Sequence, residues 1–176
     1  MKEPMLAKKI LKWYDINKRS LPWRKDVSLQ KRQYYTLVSE FMLQQTQVKT
    51  VIPYFNNFIK KFKTLKALSK SKEKDILKMW EGLGYYRRAR NLLACSKKIV
   101  KNYDFKLPDN IDEITKLPGV GNYTGNALLG LVYNKPTIAL DGNVKRVFSR
   151  YINEKENKIN FDNFIQINKK NLFNTK

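Results

Sequence analysis

Apolar positions recur at three- and four-residue spacing along most of the chain, which predicts a helical protein. The clearest run lies over 33–47, where Tyr34, Leu37, Val38 and Phe41 fall at i, i+3, i+4 and i+7. Residues 5–18 carry Leu6, Ile10, Leu11, Trp13 and Tyr14 at mixed spacing. That run ends at "SLPWRKDVS", whose proline has no N–H to continue a helix. "QVKTVIPYFNNFIKKF" starts a further helix, with Pro53 expected in its first turn. Short helices are expected over 65–69 and 72–80, with Thr64 and Ser71 as N-caps. "EGLGYYRRAR" reads as a glycine-bearing turn into a helix over 86–103. "LPDNIDEITKL" reads as a loop and one short helix capped by Asp109. Helices over 122–133 and 142–152 follow, the first ended by Pro136 and the second capped by Asp141. A weakly amphipathic tail covers 161–173. No alternating strand pattern, internal repeat or low-complexity segment interrupts the pattern, so an all-α fold is expected.

The turn "LPGVGNYTGNALLG", residues 117–130, joins two of these helices. Gly119 and Gly121 permit backbone torsions closed to other residues. The N–H groups near Val120 to Tyr123 would point outward at a helix start, where they and the helix dipole suit an anion such as a phosphate. On spacing alone the same stretch is equally an ordinary helix–helix connection. Charge changes that balance. The 176 residues contain 36 Lys and Arg against 15 Asp and Glu, a formal charge of +21, which points to a polyanionic partner. A composition rich in Lys, Asn and Ile produces a similar excess without any such partner. With one cysteine, Cys95, and no histidine, an internal disulfide and a multi-cysteine metal site are excluded. Proton transfer falls to Glu, Asp, Tyr, Lys or water. No apolar run approaches the roughly eighteen residues of a membrane span, and "MKEPMLAKKILKWY" lacks a secretory apolar stretch. A soluble cytoplasmic protein with no membrane partner is expected.

Four stretches carry a family likeness: "SEFMLQQTQV" (39–48), "GLGYYRRARNL" (82–92), "LPGVG" (117–121) and "LDGNVKRV" (140–147). In this order they resemble adenine-specific mismatch DNA glycosylases of the MutY type, within the helix–hairpin–helix base-excision superfamily. The resemblance runs from about residue 5 to about residue 152. It implies a helix–hairpin–helix glycosylase fold of two helical lobes with a catalytic cleft between them. It also implies, as substrate and partner, double-stranded DNA in which adenine is mispaired with 8-oxoguanine or guanine, bound by a monomer.

Breaking an adenine N-glycosidic bond requires a proton on the leaving base and negative charge beside the sugar as it becomes an oxocarbenium ion. Two carboxylates in different surroundings meet both needs. Glu40 is the candidate acid. Leu37 and Leu43 lie three residues to either side, so its face is partly apolar and desolvation would hold its proton. By pattern alone it is also a solvated glutamate at a helix edge. The matching glutamate of the family protonates the base and then helps to activate water. Asp141 is the candidate anion, because a carboxylate at a helix start accepts N–H bonds and faces the positive helix end. Capping without chemistry is the alternative. Asn143 matches a family residue that fixes this carboxylate.

Tyr123 stands where glycosylases that also cut the backbone carry a Schiff-base lysine. The resemblance therefore implies a hydrolase that leaves the abasic site uncut, with Tyr123 donating a hydrogen bond to the carboxylate or the sugar. Gln45 and Tyr85 match residues that wedge into the base stack. Gln44 and Thr46 could contact base edges. Gly119, Val120 and Gly121 would hold a phosphate, and Arg87, Arg88, Arg90, Lys145 and Arg146 are further phosphate candidates. Trp23, Arg24 and Leu43 match the base pocket, and "SLQKRQ" reads as an insertion that shifts its loop.

The expected lobes are 28–133, with the hairpin, and 1–26 plus 134–176. Family members usually continue into a four-cysteine loop holding a [4Fe–4S] cluster, then a domain that reads 8-oxoguanine. This sequence has only Cys95, so no cofactor and no metal are expected, and it reads as truncated before the iron–sulfur loop. The rivals are a DNA-binding remnant without activity and an endonuclease III-type glycosylase/lyase. Lysine at 123 would have favoured the latter.

Overall fold

The computed structural model describes residues 4–168 and 172–173, with side chains from Ala7 onward. Its elements are α1 (Pro4–Asn17), α2 (Leu29–Leu43), α3 (Val48–Lys61), α4 (Leu65–Ser69), α5 (Glu73–Met79), α6 (Arg87–Asn102), α7 (Ile111–Ile114), α8 (Asn122–Tyr133), α9 (Gly142–Ile152) and α10 (Phe161–Ile167). Two 3₁₀ turns lie at Pro22–Arg24 and Glu156–Lys158. The protein is all-helical, with no strand among the described residues. The expected tail over 161–173 is seen as α10 and a helical pair at 172–173, while residues 169–171 lie outside the described residues.

Local chemistry explains several boundaries. Thr64 caps α4, its hydroxyl oxygen accepting from Ala67 N at 3.1 Å, and Asp141 caps α9. Two expected caps are replaced by their neighbours. Asn110, not Asp109, caps α7 by accepting from Glu113 N at 2.9 Å, while Asp109 pairs with Lys135 at 3.5 Å. Ser71 closes α4 by donating to the Leu68 carbonyl, and α5 starts after Lys72 with no side-chain cap. Pro53 lies inside α3 rather than in its first turn, so the Lys49 carbonyl lacks its helical donor. "SLQKRQ" is no looped insertion. From Leu29 it forms the first turn of α2, because Arg32 N bonds the Ser28 carbonyl at 2.9 Å and Gln33 is drawn inward to accept from Leu107 N at 3.0 Å.

The chain forms two compact units. One is continuous, Leu21–Ile138. The other joins the residues up to Ser20 with those from Ala139 onward. These boundaries differ from 26 and 134 because Leu21 and Trp23 are buried in the core of the continuous unit and Thr137 bonds the Asn126 carbonyl of α8 at 3.0 Å.

In the continuous unit α2 is the central helix, packed against α3, α6 and α8. Leu37, Val38, Phe41 and Met42 are wholly buried, as are Phe58, Leu68, Ile76, Trp80, Leu92 and Ile99 around it. Burying one such side chain stabilises by about 1.5–3 kcal/mol, so this helix is anchored on most of its circumference. Its polar groups are satisfied locally: Ser39 donates to the Thr36 carbonyl at 3.0 Å and Tyr34 to the Phe62 carbonyl at 2.6 Å. In the other unit Phe148 and Phe161 are buried, and the Phe148 and Phe164 rings meet at 5.2 Å. Ile10, Trp13 and Ile16 of α1 are exposed. No described helix is long and apolar enough to cross a membrane.

Candidate active site

Glu40 lies on the last turn of α2, immediately before the wholly buried pair Phe41–Met42. Its side chain is partly buried. Burial pushes its carboxyl from the usual range up to about 7, against an opposing pull from the Arg24 guanidinium. Arg24 belongs to the Pro22–Arg24 turn, where Trp23 is fixed at 6% exposure with its ring edge-on to Phe55 at 5.2 Å. The two residues of "WR" therefore separate. Trp23 is a buried side chain that anchors the turn, and Arg24 is the member whose charge acts on Glu40. Leu43 is partly buried against the core.

After Leu43 the chain leaves the helix and Gln45 adopts a left-handed conformation, φ 57°. Gln44 extends to the hairpin, its Nε2 donating to the Gly119 carbonyl and to Thr124 Oγ1, each at 3.4 Å. The second motif, "GLGYYRRARNL", makes a tight turn in which Tyr85 is also left-handed, φ 49°, and 61% exposed. A surface cavity of about 490 Å³ lies between the motifs, lined by Gln44, Gln45, Tyr85, Tyr86, Arg87 and Asn91 among others. A second cavity, about 370 Å³ and floored by Tyr34, Leu37 and Leu107, holds none of the expected site residues.

Arg88 departs from its expected role as a phosphate contact. It is 7% exposed, and its guanidinium is engaged by main-chain carbonyls of both motifs and by Thr46 Oγ1 at 3.0 Å. Arg90 is exposed and paired with Glu73 at 2.8 Å.

In the hairpin, Gly119 has φ +78°, and a Cβ there would stand 2.7 Å from both Asn91 Cβ and Phe41 Cε1. Val120 is buried and closes the turn by bonding the Leu117 carbonyl at 3.1 Å. Gly121 is the N-cap of α8 with no side-chain cap of its own. Tyr123, on the first turn, is 45% exposed. Gly119→Ala is expected to destabilise by about 2–4 kcal/mol through backbone strain and overpacking. Gly121→Ala, with open space around its Cβ position, should cost under about 1 kcal/mol; urea unfolding of both variants checks the contrast. Asn91 and Thr124 are hairpin neighbours that sequence reasoning missed. Both are polar residues on helices, and only the fold brings them to Gly119 and Gln44.

In the second unit Asp141 Oδ1 accepts from Val144 N at 2.8 Å, and Asn143 Nδ2 donates to Asp141 Oδ2 at 3.1 Å. Asn143 in turn accepts from Arg146 at 3.1 Å. Both carboxylate oxygens are thus held by α9 itself. Lys145 Nζ lies 5.6 Å from the centroid of the Phe161 ring.

The residues present do not fit an iron–sulfur cluster. Cys95 is the sequence's single cysteine. It is buried within α6, with its thiol pushed up to about 12 by that burial. Among the described residues no group of three His, Cys, Asp or Glu side chains could hold a metal ion.

Two short helices joined by a glycine turn, buttressed by a buried central helix that carries a proton-retaining glutamate, define a helix–hairpin–helix protein. Residues 38–166 match the HhH-GPD superfamily of base excision DNA repair proteins, and the chain belongs to that superfamily. It is 47% identical over 143 residues to the adenine DNA glycosylase of Buchnera aphidicola subsp. Schizaphis graminum, covering 81% of this chain and 40% of that protein. To the adenine DNA glycosylase of Homo sapiens it is 40% identical over 146 residues, 80% of this chain and 27% of that one. The chain thus spans less than half the length of these relatives. A solved thermostable thymine-DNA glycosylase superposes with a TM-score of 0.83 at 25% identity, covering 97% of this chain and 78% of that one.

Proposed function

We propose that this protein is a monofunctional adenine DNA glycosylase acting on adenine opposite 8-oxoguanine or guanine in duplex DNA. The observation that carries the reading is Glu40, a carboxyl whose burial keeps its proton up to about neutral pH. The identity to two adenine DNA glycosylases supports the choice of base. Glu40 gives its proton to a ring nitrogen of the extruded adenine. The C1′–N9 bond then breaks, and its electron pair leaves with the base. Asp141, with its carboxylate fixed by Asn143 and the Val144 amide of α9, stabilises the positive sugar. Water adds at C1′, and its proton returns to Glu40, which restores the acid.

Extruding the nucleotide costs a few kcal/mol. Gln45 and Tyr85 enter the vacated stack, Gln44 and Thr46 face the base edges, and Arg24 and Leu43 lie by the adenine. The amides of Gly119 and Gly121 hold a backbone phosphate, while that of Val120 closes the turn on Leu117; Lys145 is a further contact. Tyr123 donates to the carboxylate or sugar and, being no amine, forms no Schiff base.

The test is release of free adenine from duplexes holding A opposite 8-oxoguanine, A opposite G, or A opposite T. Release is expected from the first two, with strand breakage only after alkali. Breakage without alkali refutes the monofunctional assignment, and salt-sensitive duplex binding with no adenine released refutes the enzyme.

A further inference from the structure

The Arg88 guanidinium is shared between two turns. Its Nη1 donates to the carbonyls of Met42 at 2.7 Å, Phe41 at 3.4 Å and Gln44, and to Thr46 Oγ1 at 3.0 Å. Its Nη2 donates to the carbonyls of Gly84 at 3.1 Å and Leu83 at 3.3 Å. One nitrogen therefore serves the turn of Gln45, and the other serves the turn of Tyr85. Those are two of the left-handed non-glycine residues of the fold, and each is strained by about 1–3 kcal/mol unless its surroundings hold it. The Arg88 Cζ also lies 5.3 Å from the Tyr85 ring centroid and 5.7 Å from that of Trp80. Trp80 Nε1 supports the same turn by donating to the Gly84 carbonyl at 3.2 Å. Arg88 Nε is buried without a hydrogen-bond partner in the structure. A cation so placed is costly to bury, and its Nη donors are taken by carbonyls and Thr46, so its use is internal.

We propose that Arg88 is a positioning residue: its two-nitrogen fork ties the Gln44–Thr46 turn to the Leu83–Tyr85 turn and presents Gln45 and Tyr85 as one rigid pair of wedges. The role rests on the reading that these side chains enter the base stack. Only a planar fork with separate donors on two nitrogens meets both carbonyl sets at once. A lysine ammonium is a single point and reaches one set.

The test uses the full chain with Arg88→Lys. The first measurement is hydrogen exchange without DNA. Amides of residues 44–46 and 84–86 are expected to exchange on the order of tenfold or more faster than in the parent, while those of α3 and α8 keep their protection. Unchanged exchange at both turns, or uniform loss across all helices, overturns the proposal. The second measurement is the emission of 2-aminopurine placed opposite 8-oxoguanine, which rises when that base leaves the stack. At saturating protein Arg88→Lys is expected to lose most of the rise while binding the duplex within about threefold of the parent. A full rise overturns the proposal. Should Arg88→Lys not fold, Thr46→Val removes one anchor and leaves the fork in place. Faster exchange confined to 44–46, with a partial loss of emission, supports the proposal, and no change in either overturns it. A parent protein that produces no rise refutes the functional reading, and the exchange measurement still decides whether Arg88 couples the turns.

Discussion

Glu40→Gln is expected to lower adenine release from an A:8-oxoguanine duplex by on the order of 10³-fold or more while leaving duplex affinity within a few-fold. Glutamine keeps the shape and some hydrogen bonding but has no proton to give the leaving base. Single-turnover release and a filter-binding measurement together check this, and a variant that turns over normally sinks the assignment of the acid. The parent enzyme should show a matching pH profile. Because the carboxyl is raised from 4.5 to about 7, the bond-breaking rate is expected to fall as pH rises through 7, where the acid form is lost. Stability moves the same way. The folded state holds a proton that the unfolded state releases near 4.5, so stability falls between pH 4.5 and 7. At pH 8 Glu40→Gln escapes that loss and should be more stable than the parent by roughly 1–3 kcal/mol. Urea unfolding at pH 5 and pH 8 checks the sign.

Asp141→Asn separates charge from capping. Asparagine is as good an N-cap as aspartate, and its Oδ1 can still accept from Val144 N. Stability should therefore change by less than about 1 kcal/mol. Base release should nevertheless fall by about 10²- to 10³-fold, the usual scale for removing one electrostatic stabiliser of a transition state. Asp141→Ala loses the cap as well and should cost about 1 kcal/mol in addition. If the asparagine variant releases adenine at the parent rate, Asp141 is a cap and nothing more.

Periodicity marked the middle of α2 through Tyr34, Leu37, Val38 and Phe41, but ran on to residue 47, past the helix end at Leu43. It missed the first turn because that turn is held by main-chain bonds and Leu29 to Lys31 are exposed, leaving no apolar rhythm to read. Nor does the pattern show that α2 is central, since the buried Gln33 and Ser39 look like polar-face residues until their partners are known. The burial of Trp23 was hidden for the same reason: the proline-bearing segment around it looks like a loop, yet its turn is packed inward against Phe55. Arg88 was more legible than its reading. It shares a helical face with Leu92, Cys95 and Ile99, all buried in α6, and that phase separates it from Arg87 and Arg90. The hairpin and the Asp141 cap were plain in sequence because both depend on local residue types, Gly119 for its positive φ and Asp141 for its short carboxylate.

The continuous unit ends at Ile138, before the cap of α9 begins. On the ribosome, roughly 100 residues separate Glu40 from Asp141, about 5–20 s of synthesis at common elongation rates. Glu40 therefore leaves the ribosome well ahead of Asp141, the carboxylate proposed to complete the chemistry. On the proposed chemistry a nascent chain would pass through an inert stage, ended by α9, which is made after the whole continuous unit.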